Sequence, residues 1–247
     1  MFSLFKKRSK HTNVLPLQAD MHSHLLPGLD DGVQTLSEAV QLVRQMSELG
    51  YKQLVTTPHI LSDFYPNTPN GIRKQLKALR EACQQEGIEM RLEAAAEYYL
   101  DEVFFKSLQT DEDLLTFGAQ KYILFETGFV NQPAILLDAI FRMKAKGLQP
   151  ILAHPERYEY MAQHRELAQE LVERGALLQL NLNSLSGYYS IPAKKIGEWL
   201  IDKKLVHFVG TDCHNQKHMN LLKESVKAPY FDKLLKLDLL NNTLLEA

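Results

Sequence analysis

Cysteine is nearly absent: the 247 residues contain only Cys83 and Cys213. Two thiols cannot staple a small secreted scaffold, and their scarcity suits a reducing, cytoplasmic setting. Neither is followed six positions later by the arginine that a phosphate-cradling thiolate loop needs, because those positions hold Glu89 and Met219. A large excess of one charge is also missing. The 28 basic and 30 acidic residues leave a formal net charge of −2, so no broad cationic field for a nucleic-acid backbone is expected. No apolar run approaches the roughly 20 residues of a spanning helix, and the start MFSLFKKRSK is too short in its apolar part for a secretory signal. Residues 1–13 read as a flexible basic arm carrying Lys6, Lys7, Arg8 and Lys10, and 14–247 as one domain. No repeat of fixed period, Walker loop or dinucleotide-binding glycine fingerprint occurs.

What is present is a rhythm. Short β-prone runs alternate with amphipathic stretches, as in βα units feeding a parallel sheet. Seven such runs can be read: 17–24, 53–59, 89–97, 122–126, 150–154, 177–181 and 206–214. Between them, helical spacing covers 36–49, 70–86, 133–146, 165–174 and 192–203, with Thr35 or Ser37 as a first cap. Gly50, Gly87, Gly147 and Gly175 stand where a helix must stop before a strand. Seven units predict a distorted α/β barrel of (β/α)7 type, with an open doubly wound sheet as the rival.

Metal-binding residue types gather at the ends of these runs. Six of the seven finish on His, Glu or an Asp/His pair, and five of the nine histidines fall there. In a βα barrel those ends converge on one rim. His22 and His24 lie two apart, the spacing that turns both imidazoles to one side of a strand. Asp30 and Asp31 follow in PGLDDG, where one aspartate is expected to cap the turn and the other to ligate. His59 closes TTPH, Glu97 closes AAAE, Glu126 closes YILFE and His154 closes PILAH. Asp212 and His214 close GTDCH. A carboxylate ending an apolar strand is costly unless it is paired or metal-bound.

Nine mixed nitrogen and oxygen donors, His22, His24, Asp31, His59, Glu97, Glu126, His154, Asp212 and His214, exceed the needs of one ion. With one bridging carboxylate they suit three divalent ions, whose charge outweighs that of the four carboxylates by two and so suits a phosphate dianion. Arg157, three residues after His154, is the candidate phosphate clamp, against a surface pair with Glu156 or Glu159. Lys217 is a second candidate cation. Phe64, Tyr65, Tyr98, Tyr99, Tyr188 and Tyr189 either line a groove for an aryl phosphate or peptide, or pin loops to the rim. His207 reads as a core group and His11 and His164 as solvent-facing, while His218 has no spacing argument.

DMHSHLLPGLDDG, TTPH, AAAEYY, LFE, ILAHPERY and GTDCHN, in this order over Asp20 to His218, resemble the successive motifs of the PHP (polymerase and histidinol phosphatase) superfamily. They look most like its bacterial protein-tyrosine phosphatases of capsular and exopolysaccharide loci. The resemblance implies a distorted (β/α)7 barrel with a trinuclear site of manganese and/or iron, with magnesium, cobalt or zinc as substitutes. It implies hydrolysis of phosphotyrosine on an autophosphorylating bacterial tyrosine kinase by a metal-bridging hydroxide. The expected grouping is His22, His24, Glu97 and Asp212 on one ion, Glu97, Glu126 and His154 on another, and Asp31, His59 and His214 on the third. One departure is that Lys217 stands where such proteins often carry an arginine. A phosphatase of a small metabolite such as histidinol phosphate is the alternative; a nuclease and a metal-free binding module are weaker rivals.

Overall fold

The structure is a computed structural model that describes residues 15–246, so the basic arm 1–13 and His11 lie outside the described residues. The described residues form nine short strands: β1 (Ala19–Asp20), β2 (Gln53–Thr56), β3 (His59–Ile60), β4 (Arg91–Ala94), β5 (Glu97–Tyr99), β6 (Tyr122–Glu126), β7 (Gln149–Ala153), β8 (Leu177–Asn181) and β9 (Phe208–Gly210). Every ladder between them is parallel, in the orders β1-β2-β4 and β3-β5-β6-β7-β8-β9. The nine are seven staves. β2 and β3 are one stave interrupted at Pro58, which has no N–H to give a ladder. β4 and β5 are another, and the ladder continues across both breaks: Ala95 N–H donates to Thr56 O and Glu97 N–H to Pro58 O.

The ring closes between the first and last staves. Ser23 and Cys213 form a parallel bridge, Asp212 N–H donates to His22 O at 2.8 Å, and His24 N–H donates to Cys213 O at 2.9 Å. Lower down, side chains replace the missing ladder. Asn241 Oδ1 accepts from Val209 N–H, while its Nδ2 donates to Ala19 O and Val209 O. Asp20 accepts from both the N–H and the hydroxyl of Thr211. The result is the distorted seven-stave barrel.

Asn241 is buried, so replacing it strands backbone groups that no water reaches. Asn241→Ala is expected to cost about 2–4 kcal/mol of unfolding free energy, read from denaturant titration; a change below measurement error would show the seam needs no such stitch.

Alternation along the staves sorts the core. On β6, Tyr122 and Leu124 face the barrel interior with Ala19, Met21, Val55, Ile151 and Phe208, whereas Ile123 and Phe125 pack on the helices outside. Phe117 and Leu244 join the interior set. Outside lie α1 (Leu36–Glu48), α2 (Pro69–Gln85), α3 (Glu102–Ser107), α4 (Leu136–Ala145), α5 (Glu159–Gln163), α6 (Glu166–Glu173), α7 (Ile191–Asp202), α8 (Gln216–Ser225) and α9 (Pro229–Leu234). The cap of α1 is Thr35, in a capping box with Glu38. The predicted helix 133–146 starts later, at Leu136, because Pro133 begins a turn whose carbonyl accepts from Leu136 N–H. None of the described helices is long and apolar enough to cross a membrane.

Candidate metal centre

All nine predicted donors meet at the carboxyl rim of the staves. Glu97, fully buried, sits at the middle: its Oε2 is 3.2 Å from His22 Nε2 and from His59 Nδ1 and 3.4 Å from His24 Nε2, and its Oε1 is 3.0 Å from His154 Nε2. Glu126 Oε1 is 3.2 Å from His59 Nδ1. Asp212 Oδ1 lies 3.4 Å from His22 Nε2, His24 Nε2 and His214 Nδ1. Asp31 Oδ1 is 3.5 Å from His59 Nε2 and 3.4 Å from His214 Nε2. All of them but the buried His22 and His24 line a cavity of about 550 Å³, together with Phe129, Arg157, Tyr188, Tyr189, Asn215 and His218.

Two of these residues sit in strained backbone. His154 and Asp212 adopt φ of 33° and 49°, a left-handed region costing about 1–3 kcal/mol for such side chains. Each follows the end of a stave, and at His154, next to inward-facing Ala153, the reversal lets the side chain turn inward instead of following the pleat. Two glycines permit close approach. A Cβ on Gly32 would stand 2.3 Å from His24 O, and one on Gly210 would stand 2.7 Å from His22 Cβ. The DDG and GTDCH motifs therefore need glycine for space.

Hydrogen bonds outside the cluster orient the imidazoles. His154 N–H donates to Gln179 Oε1, which fixes that oxygen as an acceptor for His22 Nδ1–H at 2.9 Å. The Nε2 lone pair of His22 then faces the cluster. Gln179 Nε2 donates to Asn181 Oδ1, and Asn181 Nδ2 donates to Asp212 Oδ2 at 2.6 Å. The sixth run, which carries no predicted donor, thus supplies the brace. Its signal was a Gln-x-Asn alternation inside LLQLN, at the period that sends both side chains inward. Asp30 Oδ2 accepts from His24 Nδ1–H at 2.7 Å and from His59 N–H, and its Oδ1 accepts from Gly32 N–H. The DDG pair divides accordingly: Asp30 is buried and braces His24, while Asp31 is exposed and faces His59 and His214.

Electrostatically, the cluster demands positive charge. Burial opposes ionisation of His22, but Glu97 and Asp212 overcome it and raise its pKa to about 9. His24 is likewise raised well above its ordinary value, against burial, by Asp30, Asp212 and Glu97. Burial pushes Glu97 and Asp212 upward, yet the surrounding imidazoles hold both well below the usual carboxylate range. His22 Nε2 and His24 Nε2 face each other at 3.2 Å. His59 Nδ1, Glu97 Oε2 and His154 Nδ1 are buried without a hydrogen-bond partner. Divalent cations among these donors satisfy the charge and the orphaned His59 Nδ1 and Glu97 Oε2, so the residues fit such ions. Donor atoms within 4.8 Å of one another form four groups: His24, Asp31, His59 and His214; His22, His24 and Asp212; His22, Glu97 and His154; His59, Glu97 and Glu126. Glu97 belongs to two of them, and His22, His24 and His59 are shared as well.

Arg157 pairs with neither Glu156 nor Glu159. Its Nη1 donates to Asp212 Oδ2 at 3.0 Å, and its guanidinium carbon lies 4.8 Å from the Phe129 ring centre and 4.3 Å from that of Tyr189. Glu156 is buried beneath, where desolvation raises its pKa to about 7 although Ser184 Oγ and Asn181 N–H donate to it. That carboxyl ties HPER to the turn carrying Tyr188 and Tyr189. Lys217 is exposed, with its ammonium 4.9 Å from the Tyr188 ring centre at the rim. Among the other predicted aromatics, Tyr65 stacks on His59 and Tyr98 is buried with its hydroxyl accepting from Leu115 N–H. His218 Nδ1 donates to Asp212 O, a contact that no sequence spacing reveals. Cys213, inside GTDCH, is buried and its thiol is pushed up to about 12; Cys83 is pushed up to about 11. Neither offers a thiolate at neutral pH.

A closed parallel barrel with His, Asp and Glu side chains massed at its carboxyl rim defines a barrel of the PHP type. The chain belongs to the CpsB/CapC family of capsular polysaccharide synthesis, which it matches over residues 18–229. It is 30% identical over 204 residues to the tyrosine-protein phosphatase YwqE of Bacillus subtilis (strain 168), covering 81% of this chain and 79% of that protein. It is 24% identical over 201 residues to the tyrosine-protein phosphatase CpsB of Streptococcus pneumoniae, covering 79% and 82%. A solved structure, from a study of YwqE and CpsB as unique metal-dependent tyrosine phosphatases, matches with a TM-score of 0.78 at 27% identity, over 92% of this chain and 91% of that one. An amidohydrolase from Mycoplasma synoviae shares the fold alone, at a TM-score of 0.51 and 11% identity over 90% and 83%.

Proposed function

We propose that this chain is a metal-dependent protein-tyrosine phosphatase whose substrate is phosphotyrosine on a bacterial tyrosine kinase of capsule or exopolysaccharide synthesis. In this reading His22, His24, Asp31, His59, Glu97, Glu126, His154, Asp212 and His214 hold three divalent ions, manganese and/or iron, with magnesium, cobalt or zinc as substitutes. The observation that carries it is the meeting of nine donors from different staves around buried, orphaned nitrogen and oxygen atoms. Family membership and the named relatives support the phosphotyrosine assignment.

Bound divalent ions supply Lewis acidity and make water nucleophilic near neutral pH. The chain's own residues do the rest. Arg157 offers a planar fork to phosphate oxygens, preset by two ring faces and by Asp212. Gln179 and Asp30 hold His22 and His24 with their Nε2 atoms inward. A tyrosyl leaving group, with a phenol pKa of about 10, departs with less help from a proton donor than an alkoxide needs.

The test compares kcat/KM for a phosphotyrosyl peptide and for histidinol phosphate, using manganese-loaded protein before and after thiol alkylation. The peptide is expected to win by about tenfold or more, with alkylation leaving its rate largely intact because both thiols are buried. Preference for histidinol phosphate, or inactivation by the alkylator, would reject the proposal.

A further inference from the structure

The loop leaving β6 is held more firmly than an exposed loop needs to be. Thr127 Oγ1 and Tyr160 OH are hydrogen-bonded at 2.7 Å, and Thr127 N–H donates to Tyr158 OH. Glu159 N–H donates to Phe129 O at 2.7 Å. Gly128 lies so close to Tyr99 that a Cβ there would stand 3.1 Å from the tyrosyl hydroxyl. Phe129 is therefore fixed at its backbone and wedged at its ring, whose centre is 6.1 Å from that of His154 and 5.8 Å from that of Tyr158. Yet 41% of this phenylalanine is exposed, on the wall of a cavity otherwise lined largely by charged groups. Val130 beside it is 56% exposed. Exposed apolar surface costs free energy in proportion to its area, and a pinned chain cannot hide it by relaxing.

Arg157 makes that position informative. Its guanidinium lies against Phe129 and Tyr189, and Tyr188 follows on the same wall, its ring 5.0 Å from that of Tyr189. A phosphate seated against Arg157 and the donor cluster would therefore lie beside the rings of Phe129, Tyr188 and Tyr189, which line the same cavity. An alkyl chain has no flat surface to cover them; a phenyl ring does. Val103 and Ile191, both exposed, lie in the first turns of α3 and α7, at the same barrel face.

We infer that Phe129 and Tyr188 form an aryl-binding subsite that makes this centre select aryl phosphates, phosphotyrosine in a polypeptide above all, over alkyl phosphates. The inference rests on the phosphatase reading and assigns its specificity to named side chains. Phe129 is the principal determinant because the loop fixes it, and no bond-making step is assigned to it.

The experiment uses the full chain loaded with manganese. Rates are measured on two peptides of one sequence, carrying phosphotyrosine or phosphoserine, and inhibition is measured with inorganic phosphate. For Phe129→Ala, the ratio of kcat/KM for phosphotyrosine over phosphoserine is expected to fall about tenfold or more, with KM carrying most of the change. Phe129→Trp should restore at least half of the lost discrimination on a logarithmic scale, and Tyr188→Ala should lower the ratio by a smaller factor. The inhibition constant of inorganic phosphate, which also reports on Arg157, should rise in Phe129→Ala by a clearly smaller factor than the loss on phosphotyrosine. An unchanged ratio, or a weakening of phosphate inhibition matching the loss on phosphotyrosine, overturns the subsite, since Phe129 then merely supports Arg157. A wild-type protein that hydrolyses neither peptide while cleaving histidinol phosphate sinks the protein-tyrosine phosphatase reading itself, a result distinct from either of these.

Discussion

Glu97→Gln is expected to lower kcat by about 10³-fold or more and to leave the purified protein depleted of metal. The substitution keeps the volume and removes the charge. Glu97 touches His22, His24, His59 and His154 and belongs to two donor groups, so losing its charge weakens both at once. The glutamine amide can still donate to the imidazole nitrogens, so the barrel should remain folded by circular dichroism. Removing metal from the wild type with a chelator should give a comparable loss, reversed by manganese in the wild type but not in the variant. A Glu97→Gln protein with full metal content and activity within tenfold of wild type would reject the central role of this carboxylate.

Arg157→Ala is expected to lower kcat/KM for phosphotyrosyl peptide by about 10²–10³-fold with metal content unchanged. Asp212 loses one donor but keeps Asn181 Nδ2 at 2.6 Å and Tyr189 OH at 3.2 Å, so the centre should still load. Arg157→Lys should recover little. A lysine ammonium restores charge but has no planar face to lie between Phe129 and Tyr189, and no fork for two phosphate oxygens. Full recovery by lysine would mean that only charge is used there. Loss of metal in either variant would mean that Arg157 acts through Asp212.

Much of the candidate site was legible because barrel geometry imposes a rule on linear order. Residues ending parallel strands must converge, so HSH, TTPH, AAAE, YILFE, PILAH and GTDCH could be gathered without knowing a single distance. The rule says nothing about strands ending in neutral residues. Gln179 and Asn181 escape it for that reason, although they orient His22 and Asp212. Nor does it see loops: Phe129 follows YILFE by three residues, and nothing in its neighbourhood announces a ring held against an arginine. The barrel seam was equally silent. Asn241 reaches Ala19 from the far end of the sequence, and a lone asparagine has no local pattern to betray such a contact.

The sequence alone determined the seven β-prone runs, their parallel βα character and the run ends at which nine candidate donors stand. Each follows from local periodicity or from topology, which survive reading one residue at a time. Tertiary structure decided which of Asp30 and Asp31 faces the cluster, that Arg157 turns to Asp212 rather than to its acidic neighbours, and that Lys217 rests on Tyr188 at the rim. Those outcomes depend on side-chain directions set by groups far away in the chain, and alternatives a few ångströms apart share the same spacing in sequence.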